Sequence, residues 1–461
     1  MNKYFNYLFS IKSALLLMFL FAIAIAIATF IENDYGTTTA RALVFNSWWL
    51  ELILIFLCSI FIYNIFEYRL FHINKLPVLF LHLSFIFIII GAGITRYISN
   101  EGVMRIREGT LNNQFISTNL FLEYKIHNSI SQYSGQKELI LSSKSNNSFS
   151  IPMSFDNKNI KIQYVNFIHD PVEELVDSQE GGGEIIELII PSESGGMQSE
   201  YILKNSQKYI KNLNVNYQSN LKTDLNIYQE DSLFYFDSKF DVHFMKMSDR
   251  STGVLMNNSS HLLNNKVLYT IDSQNIVFKN YFQNAILKQV PANIKNDAAK
   301  LDLLKIILTV ANQDTIIDLY GAEGVLSSKN YFQFNDLYFS LSYGPRVHTL
   351  PFGIFLKDFQ LERYPGSESP SSFASEIQIM DGTENIDYRI FMNNVLNYKG
   401  YRFFQSSYDN DEKGTILSVN QDRLGTGVTY FGYFSLLCSV LSLLISRFSR
   451  ISILGKQHKT V

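Results

Sequence analysis

One histidine lies where an ionisable side chain is costly. His82 falls inside an apolar run from Leu76 to Gly93, which predicts a membrane-spanning helix. An ionisable residue inside such a helix is by default a mark of function. Imidazole is a common axial ligand of haem iron, and an apolar macrocycle suits a site between helices. His82 is therefore a candidate axial ligand of haem iron, and the alternative is a neutral imidazole that hydrogen-bonds a neighbouring helix.

A single histidine cannot supply both axial ligands of a bis-imidazole iron. No other predicted span carries a histidine. A second ligand would therefore come from another chain, and a haem site at His82 would be shared with a partner. The other histidines are scattered and predict surface or satisfied core groups: His72, His127, His169, His243, His261, His348 and His458.

Three arginines cluster just after the same span. Arg96, Arg105 and Arg107 are candidates for contacts with haem propionates or with lipid phosphates, because guanidinium groups bind both kinds of anion. The alternative is a solvated face beside the membrane. The spacing of these residues does not decide between the two.

Composition excludes several classes of protein. A net charge of −3 over 461 residues argues against nucleic acid as a partner. The two cysteines, Cys58 and Cys438, both fall in apolar spans, which excludes a disulfide framework, a Cys-x-x-Cys redox pair and a zinc site in the polar region. The sequence contains no phosphate loop, dinucleotide fingerprint, nucleophile elbow or metalloprotease motif.

Apolar runs predict four membrane-spanning helices, at about 13–31, 48–66, 77–98 and 427–446. The first run is long enough to span the membrane, so we interpret it as a retained anchor rather than a signal peptide. The expected organisation is three helices within 1–98, a large polar region at 99–426, a fourth helix and a basic tail at 447–461. The adjacent Trp48 and Trp49 are expected to be interfacial anchors.

Flanking charge predicts the orientation of the helices. Lys3 and Lys12 precede the first span, and Arg69 and Lys75 lie between the second and third. The tail holds further basic residues: Arg447, Arg450, Lys456 and Lys459. Because positive charge accumulates on the cytoplasmic side, both termini are expected there, and the polar region is expected on the periplasmic side of the inner membrane.

The polar region has the pattern of β-strands. Short runs alternate between apolar and polar residues, as in Ile160–Val165 and Phe355–Leu361, and polar turns separate them. We expect antiparallel sheets that form a sandwich or a barrel-like body, with a hairpin over Leu304–Leu319. A stretch rich in Asn, Gln and Lys, Gln207–Asp231, is either a break between two sub-domains or one long loop.

The combined layout resembles the ResB family (also called CcsB), the membrane subunit of the system II cytochrome c maturation machinery. The resemblance covers the whole chain. It is carried by these stretches: Thr29–Gly36 with Ala40 and Arg41, Leu81–Ser84, Gly91–Arg96, Met104–Gly109, Pro351–Phe359, Glu362–Ser367, Pro370–Phe373 and Gly400–Asp409.

This resemblance implies a partner, a cargo and an acceptor. Family members work with CcsA, carry haem b across the membrane and present it in reduced form to the Cys-x-x-Cys-His motif of an apocytochrome c, where two thioether bonds form. His82 matches a histidine that is an axial ligand in members fused to CcsA. The tryptophan-rich segment of the CcsA half has no counterpart here, which implies that this chain is not an enzyme alone but part of a cytochrome c synthase complex.

Two other interpretations remain open at the level of sequence. One is a membrane scaffold that docks apocytochrome or braces CcsA without ligating haem. The other is a membrane-anchored sensor or adhesin, although three closely spaced spans before the polar region exceed what an anchor needs. Membrane lipid is an expected partner in every case.

Overall fold

The computed structural model describes residues 7–177, 181–192, 195–219, 221–292 and 301–445. The predicted basic tail at 447–461 lies outside these residues. So do the individual residues Lys3, Arg447, Arg450, Lys456, His458 and Lys459.

Four helices in the described part of the chain are long and apolar enough to cross a membrane, as the sequence predicts. They are α1 (Ile11–Tyr35), α2 (Trp48–Glu67), α3 (Leu76–Ile98) and α4 (Arg423–Ile445). The hydroxyl of Ser47 caps α2 by accepting a hydrogen bond from the backbone N–H of Leu50. The chain is therefore a membrane protein with its helices at both ends of a large β region.

The connection between α1 and α2 contacts the β region. Residues 37–45 form a short α-helix followed by one π-helical turn. The hydroxyls of Thr39 and Ser142 lie 3.0 Å apart, and the Arg41 guanidinium donates to the side-chain oxygen of Asn119 at 2.6 Å. This connection therefore lies at the end of the helices where the β region begins.

The chain divides into two compact units, the first formed by Met1–Asp170 with Asn293–Val461, which includes the four helices, and the second by Pro171–Ala292. The strands of the first unit are β1 (Asn100–Arg107), β2 (Leu111–His127), β3 (Gln132–Leu139), β4 (Ser150–Phe155), β5 (Lys158–Ile168), β18 (Asp302–Val310), β19 (Gln313–Gly321), β20 (Asn330–Phe334), β21 (Leu337–Arg363), β22 (Pro370–Asp381), β23 (Glu384–Phe391), β24 (Leu396–Tyr398), β25 (Tyr401–Tyr408) and β26 (Gly414–Gln421).

The second unit contains β6 (Pro171–Asp177), β7 (Gly183–Pro191), β8 (Met197–Leu203), β9 (Ser206–Ile210), β10 (Leu213–Tyr217), β11 (Leu225–Glu230), β12 (Leu233–Ser238), β13 (Val242–Lys246), β14 (Thr252–Leu255), β15 (His261–Leu262), β16 (Val267–Ile271) and β17 (Gln274–Pro291). They form one sheet in the order β15-β12-β11-β10-β9 and another in the order β14-β13-β16-β17-β7-β8, with β6 beside β17. The two sheets share one apolar core, which includes Tyr217, Phe236 and Ile271.

The first unit is also built from two sheets. The larger has the order β23-β22-β21-β2-β1-β26-β25-β24, and the smaller has the order β19-β18-β5-β4. Leu122, Ile306 and Phe339 belong to a core shared by both sheets. A second core, around Met104 and Phe403, joins strands from opposite ends of the larger sheet, so that sheet curls around its own apolar face. This architecture confirms the predicted fold class of membrane helices with a large antiparallel β domain.

The register of β1 and β26 explains how the membrane helices are arranged. β1 follows α3 after one residue, and β26 precedes α4 by one residue. The two strands pair antiparallel from Asn100 opposite Gln421 to Arg107 opposite Gly414. Because paired strands lead directly into both helices, α3 and α4 leave the sheet side by side.

Two expectations about the β region are resolved. The hairpin expected over Leu304–Leu319 is present as β18 and β19. The stretch Gln207–Asp231 is neither a break nor one long loop: it includes β10, β11 and most of β9, and β10 and β11 form a parallel pair. Its polar residues alternate with buried ones such as Val215 and Ile227, which is why composition alone conceals the strands.

Candidate functional site

His82 lies six residues after Leu76, the first residue of α3. Pro77 is tolerated there because the first turn of a helix does not need its N–H groups for intrahelical bonds. At about 1.5 Å of rise per residue, His82 is roughly 9 Å from that end of the helix. Its side chain is half-buried.

The ring nitrogens of His82 have different roles. Nδ1 lies 2.8 Å from the backbone carbonyl oxygen of Val78, one turn earlier. A carbonyl can only accept a hydrogen bond, so this contact requires the proton on Nδ1. Nε2 of the neutral ring then keeps its lone pair and is the nitrogen able to coordinate a metal. A backbone partner that fixes the tautomer is a common arrangement for ligating histidines.

An aromatic group on α2 contacts the His82 ring. The centroids of His82 and Phe61 are 5.7 Å apart with the rings perpendicular. Phe61 also stacks on Phe85, at 5.4 Å. Apolar side chains of α2 and α3, among them Ile65, Leu79 and Ile86, form the surrounding core. These apolar and aromatic neighbours suit a bound apolar macrocycle better than a hydrated ion.

Small residues hold α3 against α4. Ser84, Gly91 and Gly432 are buried where the helices meet. A Cβ added to Gly432 would lie 3.1 Å from the carbonyl oxygen of Ser84, which shows how closely the backbones approach. Thr95, near the end of α3, donates to the carboxylate of Asp422 just before α4, at 2.5 Å. This packing fixes the rotation of α3 and leaves His82 on the side of Phe61.

Sequence reasoning missed one polar residue in this region. Asn64 on α2 is only 3% exposed, and its side-chain oxygen has no hydrogen-bond partner among the described residues. It lies three positions from Phe61, on the same helix. An amide within a predicted apolar span was the available signal, since an unpaired buried amide costs free energy.

The described residues supply one candidate iron ligand at this site. No group of three or more His, Cys, Asp or Glu side chains in the described ranges is arranged to hold a metal ion. A haem at His82 would need a second axial ligand from elsewhere, and the shared site stays a prediction.

Arg96 lies at the opposite end of α3 from His82. Arg96 is 14 positions after His82, which corresponds to roughly 21 Å along the helix. The Arg96 guanidinium pairs with Glu51 at 2.8 Å and donates to the carbonyl of Phe45 at 3.1 Å. The hydroxyl of Tyr97 also donates to Glu51. These contacts join α2 and α3 at the ends nearest the β region.

Arg105 and Arg107 are brought together, on one face of β1. Both pair with Asp409, at 2.7 and 2.8 Å, and the side chain of Asp409 is 3% exposed. Arg107 also forms a two-pronged ion pair with Asp411. The hydrogen bond from Arg107 lowers the pKa of Asp411 to about 2. Both guanidinium groups thus have carboxylate partners within this chain. They lie on β1, whereas His82 and Arg96 lie on α3.

Four of the sequence stretches singled out above converge beside this ion pair. The carboxylate of Glu108 accepts a hydrogen bond of 2.7 Å from the backbone N–H of Phe359. The Phe359 ring stacks on Tyr408 at 5.5 Å, and Phe373 contacts the same tyrosine at 5.4 Å. These residues come from Met104–Gly109, Pro351–Phe359, Pro370–Phe373 and Gly400–Asp409, so the stretches form one structural cluster.

Comparison with known proteins gives two findings. Residues 316–436 match the model of a family described as ResB-like. Protein NrfI of Wolinella succinogenes is 30% identical over 441 residues, which cover 95% of this chain and 35% of NrfI. This chain therefore spans about a third of the length of that curated relative. The family match includes Phe359, Phe373 and Tyr408 but not His82.

Proposed function

We propose that the chain is a ResB-like protein that acts in cytochrome c biogenesis as a subunit that binds and passes on haem. The match of residues 316–436 to the ResB-like family model supports this, as does the 30% identity to NrfI over 95% of the chain. In this proposal it works with CcsA in system II and serves an apocytochrome c. Haem b is the cargo. The chain is not an enzyme alone, because the second axial ligand and the remaining active site belong to the partner.

The observation that carries the proposal is the hydrogen bonding of the two ring nitrogens of His82. The hydrogen bond from Nδ1 to Val78 leaves Nε2 free to coordinate iron, and the imidazole packs perpendicular to the Phe61 ring. A histidine that served only to join two helices would direct a ring nitrogen to the neighbouring helix. Here the hydrogen bond stays within α3.

Orientation supports entry of haem from the cytoplasm. Arg69 and Lys75 lie in the short connection before α3, and such basic connections favour the cytoplasmic side. His82 is near this end of α3, whereas the β region lies at the other end. We propose that both termini are cytoplasmic and that the β region is periplasmic, so that haem enters near His82 and leaves towards the β region.

The chemistry that follows belongs to the complex. Each thiol of the apocytochrome motif adds across one haem vinyl group, so that an S–C bond and a C–H bond form and nothing leaves. The chain's own residues would hold the haem: His82 would supply one lone pair to iron, and the Phe61 ring packs against the imidazole. The propionate contacts of Arg96, Arg105 and Arg107 stay predictions, since each guanidinium has partners within the chain.

The test is a haem measurement on the complex. The chain is co-produced with CcsA, the membrane complex is purified, and its haem absorbance is compared for wild type, His82→Ala and the matched control His72→Ala. We expect His82→Ala to lose most of the haem absorbance and added imidazole to restore part of it. His72 is exposed before α3, so its variant should resemble wild type.

The alternative scaffold function gives the opposite result. If His82→Ala keeps its haem and still matures cytochrome c, then His82 does not ligate haem. The chain would then dock apocytochrome or brace CcsA.

A further inference from the structure

Two arginines beside the start of α4, Arg402 and Arg423, have no carboxylate partner among the described residues. They flank a cavity of about 310 Å³ where the β sheet of the first unit leads into the helix. The charged residues that line it are Lys399, Arg402, Asp422 and Arg423. None of these residues has a role in the function proposed above.

Arg402 extends from β25 towards the membrane helix. Its Nε donates to the side-chain oxygen of Asn397 at 2.8 Å, and Nη1 donates to the hydroxyl of Tyr430 at 3.4 Å. The guanidinium carbon is 5.9 Å from the centroids of the Tyr430 and Phe404 rings. Tyr430 is seven residues into α4, roughly 10 Å along the helix. A positive charge is thus held beside the first two turns of α4.

Arg423 adds a second positive charge. It is the first residue of α4 and is exposed, and its side chain makes no hydrogen bond or ion pair with another described residue. Arg96, Arg105 and Arg107 contrast with it, because each is within 3 Å of a carboxylate oxygen. The guanidinium groups of Arg402 and Arg423 therefore remain available to an external anion.

The other charges of the cavity already have partners. Lys399 forms an ion pair with Asp381. The buried carboxylate of Asp422 accepts hydrogen bonds from Thr95 and from the backbone N–H of Gly425. Asp422 thereby caps the first turn of α4, so the helix terminus itself is not the anion site. Two arginines without a carboxylate partner in the described ranges, against one engaged aspartate, leave the cavity positive.

An apolar surface continues from the cavity along α4. Phe431, Phe434 and Leu437 are more than half exposed, and Tyr430 and Tyr433 lie beside them. Tyrosines of this kind are typical of the interface between the hydrocarbon layer and the headgroups. A ligand that fits both parts has an anionic head and apolar chains.

We propose that this cavity binds an anionic phospholipid, with its phosphate between Arg402 and Arg423 and its acyl chains along the exposed face of α4. Two guanidinium groups offer forked donors that match phosphate oxygens. The lipid would hold the β sheet of the first unit at a fixed height above the membrane.

The test measures lipid retention by the full chain in detergent. Phosphatidylglycerol is titrated into wild type, R402Q, R423Q and the double variant, and bound lipid is counted by native mass spectrometry. We expect retention about fivefold weaker for each arginine removed, the order expected for one cation near an anionic membrane surface. R402K should keep more lipid than R402Q. R250Q, a change of an exposed arginine in a turn of the second unit, is the matched control and should resemble wild type.

Three results would overturn the proposal. One is equal retention of phosphatidylglycerol by wild type and the double variant. Another is equal retention of phosphatidylcholine and phosphatidylglycerol by wild type, which would assign binding to the acyl chains. The third is binding of inorganic phosphate without retention of the lipid. R423Q removes no hydrogen bond or ion pair between described residues, so its folding should be intact, and thermal unfolding of each variant checks this.

Discussion

Arg107 and Asp409 lie 302 positions apart in the sequence and are joined by a hydrogen bond of 2.8 Å. Arg107 ends β1, the strand that follows α3, and Asp409 follows β25 in the hairpin that leads to α4. The pair therefore joins β1 to the hairpin between β25 and β26. β1 follows α3, and β26 leads into α4. Arg105 shares the same carboxylate, so one buried acid anchors two arginines.

Replacement of this acid should destabilise the β region. Asp409→Asn removes the charge and leaves one side-chain oxygen for two guanidinium groups, so we expect the free energy of unfolding to fall by about 2 kcal/mol. Asp411→Asn is the matched control, because Asp411 is about half exposed and water can replace its contacts. Chemical unfolding of the full chain measures both variants. Equal stability of Asp409→Asn and wild type would contradict the structural role given to this pair.

A methyl group at Gly91 should disrupt the packing of α3 against α4. A Cβ there would lie 2.9 Å from the backbone nitrogen of Thr429, so Gly91→Ala must separate the helices. We expect the free energy of unfolding of Gly91→Ala in detergent to be about 2 kcal/mol lower than that of wild type. Gly93→Ala is the matched control, since a Cβ at Gly93 meets nothing within 4 Å. The prediction fails if the two variants unfold at the same temperature.

His348 should make stability depend on pH. Its ring stacks on Phe115 at 4.9 Å, and burial, followed by the charge of Arg346, lowers its pKa below the usual 6.5. The unfolded chain therefore binds this proton more readily. The stabilisation is full above about pH 6.5 and is lost as the pH falls through the lower pKa of the folded state.

The variant His348→Phe keeps an aromatic ring at this position and removes the titration. Thermal unfolding of both proteins at about pH 5 and about pH 7.5 tests the prediction. The difference between the two pH values should be smaller in the variant than in wild type. An identical pH dependence in both would assign it to other groups.

The second unit should be removable. β6 begins at Pro171 and β17 ends at Pro291, and these two residues are partners across the pair. In the first unit, Ile168 at the end of β5 is likewise partnered with Leu303 in β18. Since the chain leaves and returns at adjacent points, a short Gly/Ser linker can replace residues 171–292.

We expect the shortened protein to remain folded, because the cores of the first unit contain no residue of the excised segment. Limited proteolysis and circular dichroism would measure this. Aggregation, or digestion of the remaining strands at the rate of an unfolded chain, would show that the first unit depends on the second.

The membrane helices were predictable because their signal is local. About twenty consecutive apolar residues suffice to recognise each one, and all four are present. Their ends were less predictable. α4 begins at Arg423, four residues before the apolar run, because Asp422 accepts a hydrogen bond from the N–H of Gly425 and caps the helix. Hydropathy does not show this start, because Asp422 and Arg423 are both charged.

Strand order and the inserted unit were beyond sequence reasoning. Alternation identifies a strand such as Val267–Ile271 but not its neighbour, and β1 pairs with β26 more than 300 residues away. The second unit has the same alternating pattern as the first, so composition does not mark its limits at Pro171 and Ala292.

For the site, burial of an imidazole was enough to select His82, but its proton could not be assigned without the Val78 carbonyl. The distant ion pairs of Arg105 and Arg107 with Asp409 also needed the fold. Asn64 was overlooked because a single amide in an apolar helix has no spacing pattern to mark it.

The acceptor that orients His82 is a neutral carbonyl, and this has a consequence for how tightly iron can be held. A carboxylate at the same place would draw the Nδ1 proton more strongly and make Nε2 a stronger electron donor. With the Val78 carbonyl instead, the bond to the haem that we propose there is weaker and opens more readily. A bond to iron that opens readily suits a subunit that must release its haem to an acceptor.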